Sequence, residues 1–167
     1  MPIRAVVITI SDRSSNGERP DLSGPALVDL CRGQGWEIIG TEIIPDELEI
    51  IKNQLIKYCE NSTVDIILTS GGTGFAPRDI TPEATLSIIE RNAPGLAEAM
   101  RFHSMSNTPH AVLSRGVTGI RNNTLIINLP GSPRAAVENL SYILPVLPHA
   151  VELLNNSPES EKGHQKI

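Results

Sequence analysis

The residues best suited to chemistry fall in four short polar segments. Thr69-Ser70-Gly71-Gly72-Thr73-Gly74 follows an apolar run, and its three glycines allow a tight turn close to a ligand. Amides and hydroxyls in such a turn can face phosphate oxygens. The segment lacks the lysine and the serine or threonine that close a Walker A loop, and its glycine spacing is not that of a dinucleotide fingerprint. A plain tight turn is the competing reading. The length of the loop, and its ending on Arg78 and Asp79 before a helix start, favour a ligand. Asp79 could hold Mg²⁺ against phosphate oxygens, or it could simply pair with Arg78 or close the helix terminus.

Asp46 presents the same choice, because capping-box spacing to Glu49 explains it as a helix N-cap without any function. Asp12 ends an apolar run beside Ser11, in a loop that also supplies Arg13, Ser14, Ser15, Asn16 and Gly17. That loop is either a second polar wall of a pocket or a turn. Pro130-Gly131-Ser132-Pro133 opens the last helical region, where free amides and the helix dipole favour an anion, and a Ser132 cap explains it equally well. Arg115 and Gly116 are weaker candidates. His103, His110, His149 and His164 show no metal-ligand spacing.

The elements that would carry these segments alternate. IRAVVITI (3–10) reads as a buried parallel strand, and WEIIGTEII and VDIILT (64–69) as further strands. TLIINL (124–129) reads as a late strand, and an edge strand is expected around Ala111–Ser114. Helices are expected from Ser23-Gly24-Pro25 to about Gln34, from Asp46 onward, from a threonine cap at Thr81, over 94–103, and after Pro133 through Leu147. This pattern predicts a three-layer α/β fold, an open and mostly parallel sheet flanked by helices, in the manner of a Rossmann-like domain. Ligands of such sheets bind beyond the carboxyl ends of the strands, where all four polar segments fall.

The chain has 167 residues, 40% of them hydrophobic, which suits one domain over 1–154; the polar stretch 155–167 is expected to be a disordered tail. Lys plus Arg number 14 against 19 for Asp plus Glu, a formal charge of −5, and no basic block argues for nucleic acid. The first apolar run meets Asp12 too soon for a signal sequence or a membrane span, so a cytoplasmic protein is expected. Cys31 and Cys59 match no zinc or disulfide pattern and are expected to be buried and inert.

Four segments together resemble the molybdopterin adenylyltransferase family of the Mog and MoaB type, similar also to the G domain of gephyrin and to part of molybdopterin molybdotransferase. They are Ile10-Ser11-Asp12, Ile44-Pro45-Asp46-Glu47, Thr69–Gly74 with Arg78-Asp79-Ile80-Thr81-Pro82-Glu83-Ala84, and Leu129-Pro130-Gly131-Ser132-Pro133. The resemblance covers residues 3 to 154. It implies a nucleotidyltransferase that moves AMP from Mg-ATP to the molybdopterin phosphate and releases pyrophosphate, in molybdenum cofactor biosynthesis. It further implies Asp46 and Asp79 as the two acids of catalysis and of Mg²⁺ binding, with ATP as co-substrate. Ser11, Asp12, Gly71, Gly72, Thr73, Gly74, Arg78, Pro130, Gly131 and Ser132 would bind the ligands, Ser132 near the pterin. A homotrimer or hexamer and a partner molybdotransferase are also implied. The alternative is a weakly active or non-catalytic MoaB-like protein that binds molybdopterin as a scaffold. The length is closer to MoaB than to the longer Mog forms.

Overall fold

The strand Arg4–Ile10 (β1) is buried along almost its whole length, because its side chains alternate between two separate cores. Ala5 and Val7 face one layer of helices while Val6, Ile8 and Ile10 face the other. The same alternation runs through β3 (Ile66–Ser70), with Ile66 and Leu68 on one side and Ile67 on the other. In β6 (Thr124–Leu129), Leu125, Ile127 and Leu129 oppose Ile126. Continuous apolar runs are what strands covered on both faces require. In this computed structural model, which describes residues 1–156, the sheet order is β2-β1-β3-β6-β5-β4. β2 (Glu37–Ile44), β1, β3 and β6 are parallel, and β5 (Thr118–Arg121) and β4 (Arg91–Asn92) add an antiparallel edge.

A four-residue helical turn, α1 (Asp12–Ser15), follows β1, and α2 (Ser23–Gly33) leads to β2. α3 (Leu48–Cys59) and α4 (Thr81–Ile88) cover one face, with Ile51, Leu55 and Ala84 at zero exposure. α2, α5 (Pro94–Met105), α6 (Pro133–Ile143) and α7 (Leu147–Leu154) cover the other. The architecture is the expected three-layer α/β fold. At the amino-terminal edge of the sheet the guanidinium of Arg4 grips Asp65 through two bonds of 3.0 and 2.8 Å, and Asn155 adds a third contact. No helix among the described residues is long and apolar enough to cross a membrane. The tail expected over 155–167 lies outside the described residues from 157 onward.

Four local expectations are corrected. Ala111–Ser114 is not an edge strand: Pro109–Leu113 forms a 3-10 turn, started by the Thr108 hydroxyl accepting from the His110 amide. The edge belongs instead to β5 and β4. Asp46 does not cap a helix, since α3 begins at Leu48 with no side-chain cap bond. Thr81 is inside the first turn of α4, after Ile80, and its hydroxyl donates rather than accepts. The final helix is interrupted by a 3-10 turn at Leu144–Val146, where Pro145 removes an amide donor.

Candidate functional site

Strand order reverses between β1 and β3, because β2 lies on one side of β1 and β3 on the other. Such a switch point opens a crevice beyond the carboxyl ends of the strands. Here it is a cavity of about 570 Å³, whose lining includes Ser11, Asp12, Asp46, Gly71, Gly72 and Asp79. Gly131 and Ser132 complete the wall from the loop after β6.

The floor is the turn after β3. Gly71 and Gly72 sit at φ +108° and +64°, a region that L side chains enter only at a cost. Space confirms the requirement for glycine. A Cβ on Gly71 would stand 2.2 Å from the Ile10 carbonyl oxygen, and one on Gly72 would stand 2.3 Å from Thr81 Oγ1 and 3.0 Å from Asp46 Oδ1. The turn is held from both sides, by the Gly71 amide donating to the Leu129 carbonyl (3.1 Å) and by Thr81 Oγ1 donating to the Gly71 carbonyl (2.9 Å). The Thr81 amide then donates to the Gly72 carbonyl at 3.1 Å.

Asp46 and Asp12 brace each other across the loops after β2 and β1. The Asp12 amide donates to Asp46 Oδ2 at 2.8 Å, and the Asp46 amide donates to Asp12 Oδ1 at 3.0 Å. Burial pushes the Asp46 carboxyl above the usual carboxylate range, and the charges of Asp12 and Asp79 add to the rise. Asp12 behaves oppositely, held low by the Arg78 guanidinium. Asp79 accepts from the Ala76 amide (3.0 Å), and a Cβ on Gly74 would lie 2.8 Å from its Oδ2. Asp46 and Asp79 thus share one cavity with the glycine turn.

The other expected residues separate. Arg78 does not line the cavity; its guanidinium is a clasp, donating to Asp12 at 2.6 and 3.1 Å, to Glu47 at 2.7 Å and to the Asp46 carbonyl at 3.1 Å. Thr73 and Gly74 line a second cavity of about 300 Å³, between the turn and α5. Pro130 lines that second cavity too, and its carbonyl accepts from Ser70 Oγ at 2.8 Å. Ser132 caps α6 by accepting from the Ala135 amide at 3.4 Å while also facing the main cavity.

Sequence reasoning gave too little weight to Arg115 and passed over Asp21. The amide of Arg115 donates to the Thr73 carbonyl, and its guanidinium donates to the carbonyls of Gly74 (2.7 Å) and Asp79 (2.5 Å) and pairs with Glu83. Nothing local marks such a long-range support. Asp21 accepts from Thr9 Oγ1 (2.7 Å), Ser23 Oγ (3.3 Å) and the Gly24 amide (3.0 Å), fixing the loop before α2. Its place two residues ahead of Ser23-Gly24 was a readable capping signal.

No cluster of three or more His, Cys, Asp or Glu able to hold a metal occurs among the described residues. Mg²⁺ does not demand one, since it is commonly held by one or two carboxylates together with substrate phosphates and water. Asp46 and Asp79, both lining the cavity, supply that number.

The fold and cavity define a Rossmann-like α/β protein with its ligand crevice at the strand-order switch. The family model described as "Probable molybdopterin binding domain" matches residues 6–149, and the chain belongs to that family. The molybdopterin adenylyltransferase of Helicobacter pylori J99 is 43% identical over 163 residues, covering 95% of this chain and 93% of that protein. Gephyrin of Dictyostelium discoideum is 44% identical over 92% of this chain, which spans only 23% of gephyrin's length. The crystal structure of the molybdopterin biosynthesis enzyme MoaB from Thermus thermophilus superposes with a TM-score of 0.88 at 47% identity, covering 93% of this chain and 98% of that one.

Proposed function

We propose that this chain is a molybdopterin adenylyltransferase. The observation that carries the reading is the convergence of Asp46, Asp79 and a left-handed glycine turn in one cavity at the switch point. The close relationship to proteins named for that activity supports it. In the reaction, a terminal phosphate oxygen of molybdopterin attacks the α-phosphorus of ATP. The new P–O bond forms as the bond between the α-phosphorus and the α–β bridging oxygen breaks, and that oxygen leaves with the electron pair as part of pyrophosphate. The attacking phosphate is already ionised near neutral pH, so the chain need not supply a strong base.

Each residue then has a task. The Gly72 amide, with the close approach that Gly71 and Gly72 permit, holds phosphate against the floor, and Asp46 and Asp79 are the side chains that would hold Mg²⁺ with the nucleotide. When bound, Mg²⁺ would neutralise phosphate oxygens and stabilise the departing pyrophosphate. Ser11 and Asp12 form the near wall and Ser132 the far wall, where the pterin substrate enters. Positioning and charge stabilisation supply most of the rate. We assign the protein to the cytoplasm, with a molybdotransferase as the consumer of its product. The exposed Phe102 and Met105 of α5 and Tyr142 of α6 suit a subunit contact in a homotrimer or hexamer.

The test is to incubate the protein with molybdopterin, ATP and Mg²⁺ and to measure pyrophosphate and adenylylated product together. Equal amounts of the two are expected. Asp46→Asn and Asp79→Asn should each lower turnover by about a hundredfold or more with circular dichroism unchanged. Binding of molybdopterin without product would replace this reading with the scaffold one.

A further inference from the structure

The main cavity has a second half that the adenylyl-transfer chemistry above leaves unused. It is formed by the loop between α1 and α2, which folds back at Gly17 (φ +76°). In the fold-back the Gly17 amide donates to the Ser14 carbonyl (3.2 Å), and the Arg13 carbonyl accepts from the amides of both Glu18 (2.9 Å) and Arg19 (3.3 Å). The backbones of Arg13 and Arg19, six positions apart in the chain, are thereby joined, and both residues line the cavity. Neither guanidinium makes a hydrogen bond or ion pair among the described residues. This sets them apart from Arg4, Arg78 and Arg115, each committed to a carboxylate.

The acids nearby do not explain this pair. Asp12 is already engaged by Arg78, and Asp21 by Thr9, Ser23 and the Gly24 amide. The remaining carboxylates of the cavity, Asp46 and Asp79, belong to the glycine-turn side. The cavity lining therefore holds two carboxylates, Asp46 and Asp79, that have no ion-pair partner among the described residues, and two guanidinium groups in the same condition. A polyphosphate spanning it needs compensation at the end away from the acids, and a guanidinium fork binds phosphate oxygens in pairs.

We propose that Arg13 and Arg19 form a diphosphate-binding arm, which takes the β- and γ-phosphates of the nucleotide and then the pyrophosphate that departs. This rests on the adenylyltransferase reading and adds to it a subsite for the leaving group. Two separate guanidinium groups match two linked phosphates, whereas the single phosphate of the second substrate would need only one. As the α–β bond breaks, charge accumulates on the diphosphate, and the arm stabilises it there. The arm also lets the site distinguish a triphosphate from AMP, which cannot reach it.

The experiment uses the intact protein, Mg²⁺ and inorganic pyrophosphate as the probe, with AMP and inorganic phosphate alongside, read by titration calorimetry. Arg13→Gln/Arg19→Gln is expected to weaken pyrophosphate and ATP about tenfold or more and to leave AMP nearly unchanged, with Lys at both positions recovering part of the loss. Unchanged pyrophosphate affinity in a variant with native circular dichroism overturns the arm while leaving the adenylyltransferase reading intact. Weakened molybdopterin binding with pyrophosphate unaffected overturns it too, by moving the pair to the other substrate's phosphate. A wild-type protein that binds neither ATP nor pyrophosphate overturns both readings. Wild-type protein also gives a check that needs no variant: pyrophosphate binding should weaken with added salt more steeply than AMP binding, and equal slopes contradict the arm.

Discussion

Gly72→Ala, taken together with Thr81→Ala, tests how the floor of the cavity is built. At φ +64° an alanine carries a left-handed strain of roughly 1–2 kcal/mol. Its Cβ would also lie 2.3 Å from Thr81 Oγ1, so the hydroxyl must turn away and abandon the Gly71 carbonyl, at a further cost of about 1 kcal/mol. Destabilisation of roughly 2–3 kcal/mol is therefore expected in the wild-type background. In the Thr81→Ala background the bond and the Oγ1 obstacle are already gone, so the strain and the close approach to Asp46 Oδ1 and the residue-81 Cβ remain. Urea unfolding of the four proteins of this cycle, followed by circular dichroism, should give a coupling of about 1 kcal/mol. Gly71→Ala should be worse than either, because its obstacle is the backbone oxygen of Ile10, which cannot rotate aside. Pyrophosphate release should fall further than stability does, since the Gly72 Cβ stands 3.0 Å from Asp46 Oδ1. Equal costs for Gly72→Ala in the two backgrounds would refute the proposed packing of the turn against Thr81.

Asp65→Asn should destabilise the fold by about 1–3 kcal/mol at pH 7, by leaving the Arg4 guanidinium without its charged partner. Burial opposes ionisation of Asp65, but the Arg4 bonds outweigh it and hold the carboxyl below its ordinary value of 3.8. The stabilisation is thus complete above that value and is lost as pH falls through the lower, folded one, so urea midpoints of wild type and variant should converge only below about pH 4. Burial pushes the thiols of Cys31 and Cys59 up to about 12. At pH 8 an aromatic disulfide reagent followed by absorbance should modify the native thiols at least about a hundredfold more slowly than those of the unfolded chain.

The layers were legible because a strand buried on both faces leaves a continuous apolar run, as in IRAVVITI and TLIINL, and few other elements do. The loops at the carboxyl ends followed from the same alternation, and the structure brings Ser11, Asp12, Asp46, Gly71, Gly72, Asp79, Gly131 and Ser132 around one cavity. What escaped was settled at long range. The Asp46-to-Glu49 spacing looks like a cap when only neighbours are counted, but a better acceptor role is available at the Asp12 amide. Thr81 likewise turns from its own helix to the Gly71 carbonyl. β4 and β5 escaped because two and four residues carry too little periodicity to register, and Gly119 contributes no side chain. The pairing of Arg13 with Arg19 depends on a backbone turn that no pattern of side chains announces.

The pairing of β1 with β2 has a consequence for which changes of length the chain can absorb. Ala5 lies opposite Ile38 but Val6 lies opposite Gly40, so β2 gains one residue on its neighbour before the two strands run in step to Ile10 and Ile44. Asp12 and Asp46 each follow two residues later, and their mutual bonds inherit that phase. The extra residue, Ile39, has no partner on β1. Deleting Ile39 would close the bulge and leave Val6 opposite Gly40 and every later pair in step, so Asp46 would keep its place beside Asp12, whereas deleting Pro45 would draw Asp46 one residue short of Asp12 and break their mutual bonds. Insertions in the solvent-facing loop around Ser62 shift nothing of the kind. The chain can therefore lose a residue at the bulge of its edge strand, as it can change loop length around Ser62, while the two-residue step from Ile44 to Asp46 is held by the chemistry at the other end of the sheet.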